Sequence, residues 1–177
     1  MDGRSGADQG GTSHFGRGMI VAAWLVLLAL LTLSFHSYLE RRANPNRTPE
    51  SGIDGAGVRE VRLKRNPTGH YLAGGEINGL RVTFLVDTGA TDVALSEQLA
   101  NRLRLNKGQP RLSQTANGTV RSWTTLLDDV RLGSIRLSNV PASILPSMTS
   151  GEVLLGMSFL KQLELVQRGN QLTLKQY

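Results

Sequence analysis

The segment Leu80–Asp92, with the sequence LRVTFLVDTGATD, decides how the rest of the chain is interpreted. Its first half alternates hydrophobic residues with others as far as Val86 and is rich in β-branched and aromatic side chains, which predicts a strand that is at least half buried. Asp87 follows where this strand ends. Thr88 and Gly89 then allow a tight turn, because glycine tolerates backbone angles that are closed to other residues. The segment therefore predicts a carboxylate held on a short, rigid loop.

The Asp-Thr-Gly tripeptide is weak by itself, since Asp followed by Thr or Ser and then Gly occurs by chance in roughly one chain in ten of this length. An ordinary turn after a strand is the simpler interpretation. A second hydrophobic run that ends in glycine, Val153–Gly156, follows about 65 residues later and leads into Met157–Leu160. The sequence TANG, Thr115–Gly118, lies between the two runs. These additional motifs favour a functional site.

The order FLVDTGAT, TANG and VLLGMSFL resembles the retropepsin-like aspartic proteases, and within them a single-pass membrane group of bacteria. The resemblance covers residues 58–177. It implies an all-β fold, a small closed barrel with one or two short helices. It also implies that Asp87 is catalytic and that Thr88, Gly89 and Ala90 support the active-site loop, with Thr88 bracing the loop of a second subunit.

Ala116, Asn117 and Gly118 occupy the tip of a predicted hairpin, between strands at Arg111–Thr115 and Thr119–Leu127. From the residues alone, a plain surface hairpin is the better interpretation. The family resemblance implies instead that this hairpin is the flap that closes over bound substrate. In that case the three tip residues provide backbone contacts to an extended peptide.

The remaining elements follow from local patterns of alternation, turn residues and caps. Further strands are predicted at Val58–Lys64, His70–Ile77, Val93–Leu95, Val130–Leu132, Ile135–Val140, Leu165–Arg168 and Leu172–Lys175, and helices at Ser96–Arg104 and Met157–Leu163. Asn78-Gly79 is a strong hairpin signal directly before the strand that presents Asp87.

The composition leaves carboxylates as the groups that carry chemistry. The chain has no cysteine, which excludes disulfides, a thiol nucleophile and thiolate metal sites. It has three histidines, two of them outside the predicted fold, so a zinc site or a Ser-His-Asp triad would depend on His70 alone. The net charge of +6 is scattered, with few aromatic residues nearby, which argues against a nucleic-acid partner. No metal and no cofactor are predicted.

Peptide hydrolysis by carboxylates needs two of them around one water molecule. Asp92 follows Asp87 too closely to reach the far side of that water, and Asp128 and Asp129 lack a Thr-Gly turn. A two-fold homodimer, in which Asp87 meets its own copy, is the simplest solution. Two carboxylates about 3 Å apart repel by roughly 5 kcal/mol at an effective dielectric constant near 20. The pair is therefore expected to share one proton, as is established for aspartic proteases, and acidic pH should favour activity.

The N-terminal part of the chain predicts a membrane anchor. Residues 1–18 are rich in Gly, Ser and Asp and are expected to be disordered. Residues 19–38 contain an uncharged hydrophobic run of about 17 residues and are predicted to form a transmembrane helix through the lipid bilayer. A signal peptide is the alternative. An uncleaved anchor is favoured because Glu40-Arg41-Arg42, rather than a small-x-small cleavage site, follows the run.

Residues 39–57 are rich in proline, glycine and polar side chains and predict a flexible tether, with the protease domain at residues 58–177. Two arginines precede the apolar run and three follow it closely, a count that leans weakly toward a cytoplasmic domain. The family resemblance implies the opposite. We favour a bacterial inner-membrane protein with its catalytic domain in the periplasm, because so small a charge difference rarely decides topology.

The predicted function is that of a membrane-anchored, homodimeric aspartic endopeptidase that hydrolyses peptide or protein substrates with a water activated by two copies of Asp87. The alternative is a catalytically silent module that keeps the fold and binds peptides or acts as a scaffold.

Overall fold

The computed structural model describes residues 12–115 and 118–177. The chain divides into two compact units, Met1–Glu40 and Arg41–Tyr177. Helix α1 extends over Thr12–Ala43 and so begins inside the stretch for which the sequence predicts disorder. Residues 18–36 within it form a segment with mean hydropathy 2.4 that is long and apolar enough to cross a membrane. Length and composition fit a membrane anchor and a signal sequence equally well.

The second unit consists mainly of strands. Within its described residues the elements after α1 are, in chain order, β1 Glu50–Ile53, β2 Arg59–Lys64, β3 Leu72–Ile77, β4 Leu80–Val86, β5 Val93–Ser96, α2 Glu97–Arg102, β6 Pro110–Thr115, β7 Gly118–Leu132, β8 Ile135–Leu145, β9 Glu152–Leu155, α3 Met157–Leu160, β10 Glu164–Arg168 and β11 Gln171–Gln176.

The strands form two sheets. The larger sheet has the order β3-β4-β9-β5-β8-β7-β6, and the smaller has the order β1-β2-β11-β10. An additional pairing of β3 with β7, through Glu76↔Arg131 and Ile77↔Val130, returns the larger sheet on itself. The all-β class with short helices is confirmed. The prediction of a closed barrel is met only in part. Strand pairing closes the larger sheet into a ring, but β3 and β7 pair through only two residue pairs, so the ring is not a regular barrel.

Local sequence signals account for the elements that lead to Asp87. Asn78 and Gly79 have φ values of 48° and 79°, the left-handed conformation that a two-residue hairpin turn requires between β3 and β4. The hydroxyl of Ser96 accepts a hydrogen bond from Leu99 N at 3.3 Å and so caps α2. Strand β4 has the predicted bounds.

One predicted interruption is absent. The acidic pair Asp128-Asp129 separates two predicted strands, but β7 continues through it. Asp129 is tolerated within the strand because its carboxylate accepts hydrogen bonds from Arg131, at 2.7 Å, and from Arg136 on the neighbouring strand. These ion pairs, one of them across the strands, thus let β7 pass through the acidic residues without a break.

One hydrophobic cluster joins the two sheets. It includes Val61 and Leu174 from the smaller sheet and Phe84, Ile135 and Phe159 from the larger sheet and α3, all fully buried. The strand that ends at Asp87 is therefore fixed from beneath by the core.

The structure differs from the prediction of a flexible tether at residues 39–57. Strand β1 pairs with β2, and Asn46 is only 4% exposed. The Asn46 side chain donates to the carbonyl oxygens of Lys64, at 2.9 Å, and Leu72, at 2.7 Å, and accepts from Lys64 N at 2.7 Å. The Asn46 side chain makes the hydrogen bonds to backbone groups that a neighbouring strand would otherwise make. Residues 39–57 have the polar composition of a tether, but this part of the segment is bound to the fold.

Candidate active site

Asp87 lies directly after β4, where two strands hold the backbone. Val86 N donates to Tyr71 O at 3.0 Å, and Asp87 N donates to Leu155 O at 3.2 Å. Strand β9 runs parallel to β4 and pairs Val86 with Leu155. The position of Asp87 is therefore fixed by both hydrophobic runs that the sequence motifs contain.

The turn after β4 orients the Asp87 carboxylate. Gly89 N donates to Asp87 Oδ1 at 2.9 Å, and Ala90 N donates to Asp87 O at 3.3 Å. A Cβ atom at residue 89 would lie 3.2 Å from the same Oδ1, so a side chain there would crowd the carboxylate. Thr88 and Gly89 are exposed, whereas Asp87 and Ala90 are half-buried. The single chain thus presents an oriented carboxylate beside an exposed turn.

Helix α3 supports this turn from the other side. Met157 N donates to Ala90 O at 2.8 Å and Ser158 N to Thr91 O at 2.9 Å. A Cβ atom at Gly156 would lie 2.2 Å from Asp92 O, so only glycine allows the loop and the helix to approach so closely. The glycine that ends the second hydrophobic run is therefore required by packing against the loop of Asp87.

Ser158 is a supporting residue that sequence reasoning did not identify. It is 5% exposed, and its hydroxyl accepts from Val93 N at 2.9 Å and donates to Pro141 O at 2.8 Å. The hydroxyl thereby joins the end of the Asp87 loop to β8. A small polar residue inside a hydrophobic motif is the signal that could have revealed it, since a buried hydroxyl needs partners.

The candidate flap is the hairpin of β6 and β7. These strands pair from Pro110↔Trp123 to Thr115↔Gly118. Gly118 begins β7 with φ 103°. Ala116 and Asn117, the other two predicted substrate-binding residues, lie outside the described residues.

Asp92, the nearest acid in sequence, faces this hairpin. Its Oδ2 accepts from Arg111 Nη1 at 3.0 Å and from Ser143 Oγ at 3.1 Å. The Asp92 side chain is 19% exposed and that of Arg111 is 51% exposed. Sequence analysis excluded Asp92 as a partner of Asp87 but did not anticipate that it links a strand of the hairpin to the loop.

The other two acids near the motifs are engaged elsewhere. Asp128 Oδ2 accepts from Asn78 Nδ2 at 3.2 Å. Burial by itself would raise the pKa of Asp129, but the hydrogen bonds and charges of Arg136 and Arg131 outweigh burial and hold that pKa below its ordinary value. Asp128 therefore stabilises the β3–β4 turn, and Asp129 stabilises the pairing of β7 with β8. Within the described residues no group of three or more potential metal-binding side chains is found.

Comparison with known proteins identifies the family and the fold. A family model described as gag-polyprotein putative aspartyl protease matches residues 73–162. The chain belongs to this family. The matched residues of this chain include Asp87, the β6–β7 hairpin and Gly156. The crystal structure of a retropepsin-like aspartic protease from Rickettsia conorii is similar, with a TM-score of 0.55 and 25% identity, over 72% of this chain and 95% of that one. The retropepsin-like resemblance is thereby confirmed.

Two protein relatives extend the similarity without assigning an activity. An uncharacterised protein from the cobV 5′ region of a Sinorhizobium species is 29% identical over 175 residues, which is 92% of this chain and 75% of that protein. An uncharacterised protein of Rickettsia prowazekii is 28% identical over 109 residues, 59% of this protease-family chain and 46% of the relative. The match to the first relative extends over nearly the whole chain.

Proposed function

We propose that this retropepsin-like chain is a membrane-anchored aspartic endopeptidase whose active site is formed by Asp87 from two subunits. The observation that carries the proposal is the oriented carboxylate of Asp87 on a loop held by β9 and α3, beside the exposed Thr88-Gly89 turn. Such a loop is rigid before substrate arrives, which is what a catalytic group requires.

A second subunit supplies the second carboxylate. Within the described residues the other acids close to Asp87 in sequence or motif have different partners: Asp92 binds Arg111 and Ser143, and Asp129 binds two arginines. The exposed turn can approach its own copy across a two-fold axis, because neither Thr88 nor Gly89 is covered in the single chain.

The proposed chemistry uses one water molecule between the two Asp87 side chains. One carboxylate removes a proton from the water as it attacks the peptide carbonyl carbon, and the other carboxyl group donates its proton to the carbonyl oxygen, which gives a tetrahedral diol. When the C–N bond of the diol breaks, the first carboxyl group passes its proton to the leaving nitrogen, and the second carboxylate takes a proton from a diol hydroxyl as the new carboxyl group forms. The Gly89 N–H bond to Oδ1 keeps that oxygen as an acceptor, so the shared proton is placed on Oδ2. The β6–β7 hairpin covers the extended substrate and adds backbone hydrogen bonds along its length.

The membrane anchor raises the effective concentration of one subunit near another. Residues 18–36 of α1 provide a segment of sufficient length and hydropathy. Two subunits confined to the same bilayer meet more often than in solution, which favours even a weak dimer. We place the protease domain in the periplasm, which a reporter fused after Tyr177 and active only in that compartment can test.

Substitution of Asp87 tests the proposed function. Full-length protein in detergent is incubated with casein between pH 4 and 7, with and without pepstatin, beside Asp87→Asn and Asp128→Asn. Asp87→Asn keeps Oδ1 as an acceptor for Gly89 N, so folding is preserved while cleavage is lost; Asp128→Asn makes the same change at an exposed acid and retains activity. Cleavage that persists in Asp87→Asn refutes the mechanism. A wild type as inactive as Asp87→Asn indicates a peptide-binding module instead.

Mixing the two proteins tests the shared site. When wild type and Asp87→Asn are coexpressed in equal amounts, about one quarter of randomly formed dimers carry two intact Asp87 residues. Activity should therefore fall to about a quarter of that of undiluted wild type at the same total protein concentration. A fall to one half would show that each chain acts alone and would refute the shared site.

A further inference from the structure

The β6–β7 hairpin extends beyond the larger sheet as a two-stranded ribbon. Strand β7 pairs with β8 only from Trp123 onward, and β6 is the end strand of the sheet. Within the described residues, the ribbon therefore consists of β6 and residues 118–122, which pair with each other alone. An isolated two-stranded ribbon is marginally stable, so its position depends on what its base contacts.

The contact at the base is an ion pair with the loop of Asp87. Arg111, the second residue of β6, donates from Nη1 to Asp92 Oδ2 at 3.0 Å, and Ser143 of β8 donates to the same oxygen at 3.1 Å. One carboxylate oxygen thus joins the ribbon, the loop and the sheet. This ion pair is a direct side-chain hydrogen bond between the ribbon and the loop.

The loop is the fixed side of this contact. Asp92 O lies so close to Gly156 that a Cβ atom there would be 2.2 Å away, and Val93 N is bound by the buried Ser158 hydroxyl at 2.9 Å. The Asp92 side chain is also mostly covered, at 19% exposed. A change at the ion pair therefore acts on the ribbon and leaves the loop in place.

We propose that Arg111 and Asp92 are positioning residues that hold the ribbon at a set distance above the loop of Asp87, which orders the substrate-covering hairpin before a peptide binds. This role rests on the proposed function, in which the ribbon covers substrate. Without the ion pair the ribbon samples more open positions, and part of the binding free energy is spent on ordering it. The chemical step, carried out on the fixed loop, is unchanged.

Hydrogen–deuterium exchange of full-length protein in detergent tests the positioning directly. Arg111→Met removes the ion pair but keeps an unbranched apolar side chain. Arg121→Met is the matched control, because it removes the same charge from the opposite face of the same ribbon. The Arg121 guanidinium lies 5.5 Å from the centre of the Trp123 ring, and the methionine keeps an unbranched side chain there for packing against that ring. We expect the amides of 111–115 and 118–122 to exchange at least about fivefold faster in Arg111→Met only, with β10 and β11 unchanged. Equal exchange in wild type and Arg111→Met overturns the proposal.

A second variant guards against a general loss of stability. Asp92→Asn keeps the side-chain volume and an oxygen for Ser143, while it removes the negative charge that Arg111 binds. It should reproduce the faster exchange confined to the ribbon. Faster exchange that spreads to β10 and β11 in both variants overturns the proposal, because the pair then stabilises the whole fold.

Kinetics with an extended peptide provide the functional measurement. Arg111→Met should raise KM about fivefold and change kcat less than twofold. Arg111→Lys keeps the positive charge, so its KM should lie close to that of the wild type. A lowered kcat with unchanged KM overturns the positioning role. If the wild type cleaves nothing, the proposed function fails, whereas the exchange measurement still decides whether the ion pair positions the ribbon.

Discussion

Replacement of Asn46 by alanine is expected to destabilise the strand-rich unit far more than an ordinary substitution in a linker would. Asn46 is 4% exposed, and its side chain makes hydrogen bonds of 2.9, 2.7 and 2.7 Å to the backbone of Lys64 and Leu72. The backbone carbonyl oxygen of Asn46 accepts a hydrogen bond from Gly74 N at 2.8 Å. A Cβ atom at residue 74 would lie 2.0 Å from Arg47 O, so the two backbone segments are in close contact. The Asn46→Ala substitution keeps this backbone contact but removes all three hydrogen bonds of the side chain.

The magnitude follows from the groups left without partners. Each buried hydrogen bond contributes about 1 kcal/mol net, and more when a backbone group remains unsatisfied, so the three bonds together are worth about 3 kcal/mol. For a domain of this size, about 3 kcal/mol corresponds to a fall in Tm of roughly 10 °C. Asn46→Asp should cost more than Asn46→Ala, because it directs an oxygen instead of an N–H group at the carbonyls of Lys64 and Leu72.

Chemical denaturation of full-length protein in detergent, followed by near-ultraviolet circular dichroism, measures this effect. Asn101→Ala, at an exposed position of α2, is the matched control and should change the free energy of unfolding by less than about 0.5 kcal/mol. If Asn46→Ala is as stable as Asn101→Ala, residues 43–47 are not fastened to the fold, and the flexible tether that the sequence predicts is the better description.

Two further predictions concern charge and packing. Asp129, with its pKa lowered from 3.8, stabilises the fold above its unfolded-state pKa, and this contribution is lost as the pH falls through the lower folded-state pKa. The stability difference between wild type and Asp129→Asn should therefore be constant near neutral pH and shrink as the pH falls below the unfolded-state pKa, as pH-dependent urea denaturation can measure; a difference that grows in acid contradicts it. Gly156→Ala should cost about 3 kcal/mol, because its Cβ meets Asp92 O, whereas Gly151→Ala, with no atom within 4 Å, should be neutral in the same assay; equal stabilities would refute the packing argument.

The sequence predicts the elements around Asp87 because their signals are local. The alternation in β4, the Asn78-Gly79 turn and the Ser96 cap each depend on residues within a few positions of one another. The placement of Asp87 at the end of a half-buried strand follows from the same pattern. A role for Asp87 in catalysis and its pairing in a dimer remain predictions.

The features that sequence analysis misses depend on contacts between distant residues. Asn46 binds backbone groups 18 and 26 positions away, so the polar composition of residues 39–57 cannot reveal that the segment is fastened. Likewise, Asp92 meets Arg111 and Ser143 only because three separate strands converge at the loop. Periodicity and turn residues carry no information about such convergence.

Strand β1 also affects what a single cut in the backbone would do. The turn between β1 and β2 is exposed at residues 54–57, but the residues before it remain paired with β2, and Ser134 Oγ donates to Gly52 O at 3.0 Å. A nick in this turn would therefore leave two fragments that stay associated, like the complementing halves of a split protein. Release of the strand-rich unit from the N-terminal helix would therefore require strand exchange or unfolding in addition to hydrolysis.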